Sequence, residues 1–374
     1  MILALTLPTT SSTTDAMDVL GSVPPAFQWP VQFCIFSTVA TYVASIITSN
    51  VSQVDRLWTF LPTIYTAYFA LLPLWPQKQP FYLVPYTPAS LGIPPGTYNP
   101  RALMMLALIV TWMFRLSYNT YRRGLFNLKD EDYRWLVLRQ QMHPILFQIF
   151  NLGFISFIQN VLLLALGIPA YIAASQPPQP LENRDYFVIF LSLLILVLEF
   201  TSDNQQYAYQ AFKHEPRRFH TTHQWIGSRL QWVPADAERG FVTRGLWAWS
   251  RHPNFACEQS FWWIMNIASL PSSQLLSITN LRTSAFVAGK FDLGSLLTAI
   301  APLTPAVALS ILFFSSTLYT EAITASKYPA YTAYRARVGM FSPLATAGKG
   351  LWLAITGGRV EVERTVWGKE AKDE

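Results

Sequence analysis

The sequence predicts an all-α integral membrane protein: about seven transmembrane helices in a bundle, with the N-terminus lumenal or outside and the C-terminus cytoplasmic. Three observations predict it. Only 13% of the 374 residues are charged while 51% are hydrophobic and 15% aromatic, and a soluble domain carries about a quarter charged residues. Apolar stretches near the ~20 residues of a spanning helix recur along the chain. The basic residues fall mostly on one side of the alternation that those stretches create.

In chain order, residues 1–25 form a flexible lead-in without the basic start and longer apolar core of a signal peptide. Seven apolar stretches follow at roughly 26–48, 57–75, 102–120, 145–174, 186–205, 255–271 and 295–318. The fourth is long enough to tilt, or to kink at Gly167-Ile168-Pro169. The sixth is short. Between the second and third, residues 76–100 carry Pro76, Pro80, Pro85, Pro88, Pro94, Pro95 and Pro100, so that connector is an extended loop. The membrane domain covers 26–343, with a basic cytoplasmic loop over 206–251, and 344–374 reads as a polar cytoplasmic tail. No repeat or low-complexity run interrupts it.

The net charge of +6 does not point to nucleic acid, because the basic residues lie in the gaps between apolar stretches. Arg56, the group from Arg115 to Arg139, the group from Lys213 to Arg251 and the group after the last stretch share one side. Lys78, Arg101, Arg184, Arg282 and Lys290 occupy the other. With an odd number of spans, this places the C-terminus in the cytoplasm. The two cysteines, Cys34 and Cys257, lie in apolar surroundings without metal spacing and are expected to be free thiols.

Ionisable groups in or beside apolar spans are functional candidates. Glu199 and Asp203 close the fifth stretch and are four apart, so on a helix they share a face. That face suits a ribose, an amide or a cation, or is simply a helix end reaching water. A second cluster, Trp249-Ser250-Arg251-His252-Pro253-Asn254-Phe255-Ala256-Cys257-Glu258, opens the sixth stretch. Pro253 suits a helix start, whose exposed N–H groups attract an anion such as a pyrophosphate. Arg251 and His252 would add to that attraction. The competing reading is an aromatic belt with Arg251 snorkelling to the interface. The third cluster is Glu321 with Tyr328, Tyr331, Tyr334, Arg335 and Arg337, and reads as an interfacial amphipathic helix on anionic lipid when taken alone. Five histidines, of which His214, His220 and His223 are near one another, do not make the several clusters of a di-iron site. Phosphate-binding loop, dinucleotide glycine fingerprint and nucleophile elbow are all absent.

Taken together, Ser250-Arg251-His252-Pro253-Asn254-Phe255 with Glu258 and Trp262-Trp263 resembles the C-terminal region of the steroid 5-alpha-reductase superfamily, and more closely an uncharacterised membrane branch of it. Val54-Asp55-Arg56-Leu57-Trp58, Arg115-Leu116 with Asn119, Glu131-Asp132-Tyr133-Arg134-Trp135, and Tyr328-Pro329 with Tyr331 and Tyr334 match the same branch, in order. The resemblance implies a seven-helix bundle that encloses NADPH and reduces a carbon–carbon double bond, typically an enone, in a lipophilic substrate. It implies cofactor contacts at Asp203, Arg251, His252, Asn254, Glu258, Glu321 and Tyr328. Arg217, Arg218 and Arg229 are loop candidates for the phosphates, since guanidinium clamps phosphate bidentately. Asp55 matches the acidic partner expected near the second span; otherwise it is an exposed neighbour pair with Arg56. The tyrosine expected to polarise the substrate carbonyl is replaced by Trp112, so either Tyr118 or Tyr65 substitutes or the substrate is not a steroid enone. Cys257 stands where the pattern has glycine.

Two other classes remain open on sequence alone. One is a membrane S-adenosylmethionine-dependent methyltransferase of the isoprenylcysteine or phospholipid type, which also opens a late helix with Arg-His-Pro. The other is a non-enzymatic lipid-binding protein. No obligate protein partner is expected, and a eukaryotic source would place the chain in the endoplasmic reticulum membrane.

Overall fold

A computed structural model describes residues 23–217, 219–271, 294 and 300–368. The first part of the expected lead-in, Arg218, Arg282, Lys290, the start of the last apolar stretch at 295–299 and the tail beyond 368 lie outside the described residues. Helices and turns make up the described residues, among which no strand occurs. The chain divides into two compact units, one formed by Met1–Ile109 with Gly124–Pro180, the other by Val110–Arg123 with Leu181–Glu374.

In the first unit, helix α1 (Gln28–Thr48) is apolar along its length and ends at Ser49 in the left-handed conformation. Helix α2 (Gln53–Leu57) is one turn, and α3 (Leu61–Ala70) is ten residues. The second apolar stretch is thus no continuous span. Pro62 at the start of α3 and Pro73 in the turn after it interrupt the ladder of backbone hydrogen bonds. Ten residues of helix reach about 15 Å, half of a ~30 Å hydrocarbon core. Residues 76–99 hold a single 3₁₀ turn, Ala89–Leu91, as the prolines require. The first turns of α4 (Pro100–Arg122) also belong here.

Helix α5 (Tyr133–Gln141) is N-capped by the Asp132 carboxylate. Helix α6 (Pro144–Phe150) runs through a π-helical segment, Asn151–Ile158, into α7 (Gln159–Ala165), and α8 (Ile168–Ala174) follows. The break between α7 and α8 falls at the expected kink. There Gly167 lies so close to Tyr65 that a Cβ would come within 2.6 Å of the tyrosine's own. Asn151 donates to Ser45 Oγ at 2.8 Å and Asn160 to Thr41 Oγ1 at 3.3 Å, tying the fourth stretch to α1 by side-chain bonds of the kind that join helices in lipid. A core of Trp29, Tyr68, Phe69 and Leu72 packs against Ala170.

In the second unit, the last turns of α4 join α9 (Asn183–His214), α10 (Pro234–Arg239), α11 (Pro253–Ser269), α12 (Thr304–Lys327), α13 (Tyr331–Arg337), α14 (Pro343–Ile355) and α15 (Arg359–Trp367). Glu182 and Asp185 form a reciprocal capping box at the start of α9. Arg184 then donates to the carbonyls of Ile267 and Leu270, satisfying the end of α11 with a cation where the helix dipole is negative.

Among the described residues, five helices are long and apolar enough to cross a bilayer: Pro25–Thr48, Pro100–Arg122, Pro144–Ala174, Asn183–His214 and Ala301–Lys327. They coincide with five of the seven expected stretches, and large apolar side chains such as Ile47, Phe190 and Ile311 point outward from them. In a soluble protein that surface would be penalised by water; in lipid it is matched. The chain is an integral membrane protein. The sixth expected stretch forms α11, 17 residues long.

Candidate functional site

At the centre of the second unit, three helices place ionic groups against one another away from water. Helix α4 contributes Arg115, α9 contributes Glu199 and Asp203 one turn apart, and α11 contributes Glu258. Arg115 Nη1 meets Asp203 Oδ2 at 2.8 Å, and Nη2 meets both Glu199 Oε1 at 3.0 Å and Glu258 Oε2 at 2.8 Å. All four residues are buried. Arg115 was counted above among the loop charges, but it lies within α4, and its guanidinium is satisfied by these carboxylates rather than by water.

Indole donors complete the ring around Glu258. Trp112 Nε1 lies 2.9 Å from both carboxylate oxygens, and Trp262 Nε1 donates to Oε1 at 2.8 Å. The Trp112 ring also packs edge-on against Trp262, with centroids 5.1 Å apart. Trp112, one turn before Arg115, therefore orients the carboxylate. Asn254 Nδ2 donates to Asp203 Oδ1 at 3.2 Å. Among the described residues, Glu199 Oε2, Asn254 Oδ1 and Arg115 Nε are buried polar atoms without a hydrogen-bond partner. One guanidinium in contact with three carboxylates leaves an excess of negative charge in a desolvated site. A proton or a cationic ligand offsets the cost of that excess.

Next along α4, Arg122 Nη1 donates to Asn204 Oδ1 at 2.6 Å. The guanidinium also lies over the rings of Tyr118 and Tyr207, at 5.1 and 4.7 Å from their centroids. Tyr118 is half-exposed.

The second group of sequence candidates forms a separate network at the entrance to α11. Arg251 Nε and Nη2 meet Glu321 at 2.6 and 3.0 Å, and Nη1 donates to the carbonyls of Arg335 and Val338. His252 Nε2 lies 3.0 Å from Glu321 Oε1 and the Tyr331 hydroxyl donates to the same oxygen at 3.2 Å. A carboxylate held by Arg251 only accepts, so His252 carries its proton on Nε2. Burial pushes the His252 imidazole below its ordinary value, against the opposing pull of Glu321. The backbone joins in: Arg251 N donates to Gly339 O and His252 N to Met340 O. Arg251 and Glu321 are thus committed to holding α11, α12 and the segment after α13 together.

Tyr328, at the end of α12, accepts from Lys213 Nζ at 3.0 Å, and the same ammonium donates to Gly240 O at 2.9 Å. The lysine hydrogen bond holds the Tyr328 phenol below its usual range. Arg217 is exposed. Arg229 is exposed too; its guanidinium donates to the carbonyls of Gln224 and Thr222, and it lines an open cavity of about 440 Å³ with Thr243, Arg244, Gly245 and Trp367.

Asp55 and Tyr65 belong to the first unit. Asp55 accepts from Trp135 Nε1 at 2.9 Å, and its carboxyl is raised by burial and by Asp132, with Arg134 and Trp135 opposing. It is no exposed partner of Arg56, whose Nη2 donates to the carbonyls of Asn127 and Asp130. The two motifs around Asp55 and around Asp132 thus fold onto each other. Tyr65 is fully buried near Cys34.

Sequence reading named Asp203, Asn254 and Glu258 and weighed Glu199. It did not choose Arg115 or Trp112 as members of the site. An arginine fifteen residues into an apolar helix was the available signal. Among the described residues no group of His, Cys, Asp and Glu has the arrangement of a metal site. Both cysteines are free.

Fold and site define a helical membrane protein with a buried arginine–carboxylate cluster shared by three helices. Residues 41–289 match the family described as "Protein of unknown function (DUF1295)", and the chain belongs to that family. It is also 32% identical over 302 residues to the Schizosaccharomyces pombe protein described as "Uncharacterized protein C594.04c", covering 80% of this chain and 74% of that one. No solved structure matches.

Proposed function

We propose that the chain is a membrane oxidoreductase that reduces a carbon–carbon double bond of the enone type in a lipophilic substrate, with NADPH as cofactor. The observation that carries this reading is the Arg115–Glu199–Asp203–Glu258 cluster with Asn254 at its edge. It joins, in one buried place, three of the motif residues whose resemblance to the steroid 5-alpha-reductases implies cofactor contact, Asp203, Asn254 and Glu258.

The residues present fit that cofactor. Asn254 Oδ1 is a buried acceptor in want of a donor, which a carboxamide or a ribose hydroxyl supplies. NADPH, when bound, supplies the hydride. Asp203, Asn254 and Glu258 would hold it at the cluster, with Arg217 and Arg229 on the phosphates. The excess carboxylate charge stabilises positive charge at the site through fixed groups that need no reorganisation. Arg251, His252, Glu321 and Tyr328 support the wall of the site through the bonds described above. Because the Trp112 indole is engaged by Glu258, a substrate carbonyl takes its proton from another group, for which Tyr118 is the sequence candidate within this unit.

The reading includes seven spans, with α11 and the interrupted second stretch as the two short ones, the N-terminus lumenal or outside and the C-terminus cytoplasmic. In a eukaryote the membrane is that of the endoplasmic reticulum. The same charge excess favours one other reading, a methyltransferase, since the sulfonium of S-adenosylmethionine is also a cation.

The test is thermal stabilisation of the detergent-purified chain by each compound, beside an Asn254→Ala, Glu258→Ala variant. Stabilisation by NADPH alone, lost in the variant, supports the reductase. Stabilisation by S-adenosylmethionine alone replaces it with the methyltransferase. A folded sample that responds to neither removes both and leaves a lipid-binding protein.

A further inference from the structure

Helix α14 has its polarity reversed. The side that packs on the rest of the unit is polar or small. Thr346 Oγ1 donates to Trp249 O at 2.6 Å and accepts from Gly339 N at 2.7 Å; Lys349 Nζ donates to Arg335 O at 2.6 Å. Gly350 lies against the Arg337 guanidinium, with room for a Cβ only at 3.0 Å from Nη1. The opposite side holds Leu344, Leu351, Trp352 and Ile355, which are 83%, 64%, 66% and 72% exposed. At 100° per residue these four fall within an arc of about 100°, roughly opposite Thr346 and Gly350. Among the described residues nothing covers that face.

We propose that α14 lies in the surface of the bilayer, with its apolar face sunk into the acyl region at anionic headgroups. Three observations select a lipid surface over other occupants. First, thirteen residues reach about 20 Å, too short to span and long enough to lie flat. Second, α14 is attached at short range to the end of the crossing helix: α12 runs to Lys327, and the bonds from Lys349 and Thr346 fix α14 to the backbone of Arg335 and Trp249. Trp249 is itself largely exposed and suited to the headgroup zone. Third, basic residues outnumber acidic ones in the chain around α14, with Lys327, Arg335, Arg337, Lys349, Arg359 and Arg364 against Glu361 and Glu363, which suits an anionic lipid surface. This assignment is independent of the proposed reaction.

The experiment uses the full chain with Cys34 and Cys257 changed to alanine, reconstituted in phosphatidylcholine vesicles with phosphatidylserine. A nitroxide at Leu351→Cys is expected to collide with oxygen more readily than with a water-soluble nickel chelate, and one at Glu361→Cys to do the reverse. Equal access of the chelate to both positions would overturn the proposal, as a face standing in water. Shielding of Leu351→Cys from both reagents would also overturn it, in favour of a protein partner; dipolar broadening would mark that partner as a second copy. If the cysteine-free chain does not fold, brominated lipid supplies the reading in the native-cysteine chain. The part of tryptophan quenching that disappears in Trp352→Phe is then the signal of Trp352 in the acyl region, and no change on that substitution contradicts the assignment.

Discussion

Arg115 Nη2 and Glu258 Oε2 lie 2.8 Å apart although 143 residues separate them in the chain. The contact ties the third apolar stretch to the sixth inside the second unit. Because Glu199 shares the same nitrogen, the guanidinium is the hub on which α4, α9 and α11 converge. Removing it leaves three buried carboxylates facing one another.

Arg115→Met is therefore expected to lower the unfolding free energy of the detergent-solubilised chain by on the order of 3–5 kcal/mol, the cost of an uncompensated buried charge. Adding Glu199→Gln recovers part of the loss by removing one of the facing carboxylates. The measurement is the thermal midpoint of the single and double variants. An unchanged midpoint in Arg115→Met would mean that the cluster does not contribute to stability.

Trp112 and Trp262 act on one carboxylate, so their effects couple. Each Trp→Phe change removes a donor to Glu258 and costs about 1.5–3 kcal/mol, as for hydrogen bonds to a charged group. The double variant is expected to deviate from the sum by more than the ~0.5 kcal/mol typical of independent sites. Chemical denaturation of the four chains reads this directly, and simple additivity would show that Glu258 is held by other means.

His252 links stability to pH. Burial keeps its folded pKa below the ordinary value of 6.5, so between the two values the unfolded chain binds more protons than the folded one. Stability then falls as pH drops below about 6.5 and is insensitive to His252 above it. The thermal midpoint of the wild type is expected to decline through that window more steeply than that of His252→Gln, which keeps a donor for Glu321. Parallel curves would detach the imidazole from the titration.

Gly240 closes α10 at φ 89°, and a Cβ there would collide with the Tyr328 ring. Gly240→Ala combines a left-handed backbone with a displaced ring and the loss of the Lys213–Tyr328 bond. A destabilisation of about 2–3 kcal/mol is expected. Tyr328→Ala in the same chain relieves the collision and leaves the backbone strain alone, so the double variant is more stable than the sum of the single changes. A Gly240→Ala chain as stable as wild type would show that the ring yields freely.

Much of this was readable beforehand, and what was not has identifiable causes. The five long spans followed from apolar length. Asp203 and Glu258 stand out as ionisable groups in or beside apolar stretches, and Asn254 through the resemblance of Ser250-Arg251-His252-Pro253-Asn254 to a family motif. Arg115 escaped because it stands only seven residues before the Arg122-Arg123 pair and was counted with it as loop charge. Burial, not spacing, separates them. The second stretch is apolar from end to end, so hydropathy could not reveal that Pro62 and Pro73 divide it. Helix α14 was hidden by its own flanks: Lys349 and Arg359 give the tail a polar composition, while the apolar side chains share one face only when the segment is helical.

The 32 residues of helix α9 reach about 48 Å, well beyond a ~30 Å hydrocarbon core, in one unbroken rod. Glu199 and Asp203 sit on that rod within the cluster. One continuous helix thus carries both the ionic cluster and, about 15 Å further along, the lysine that anchors Gly240 and Tyr328.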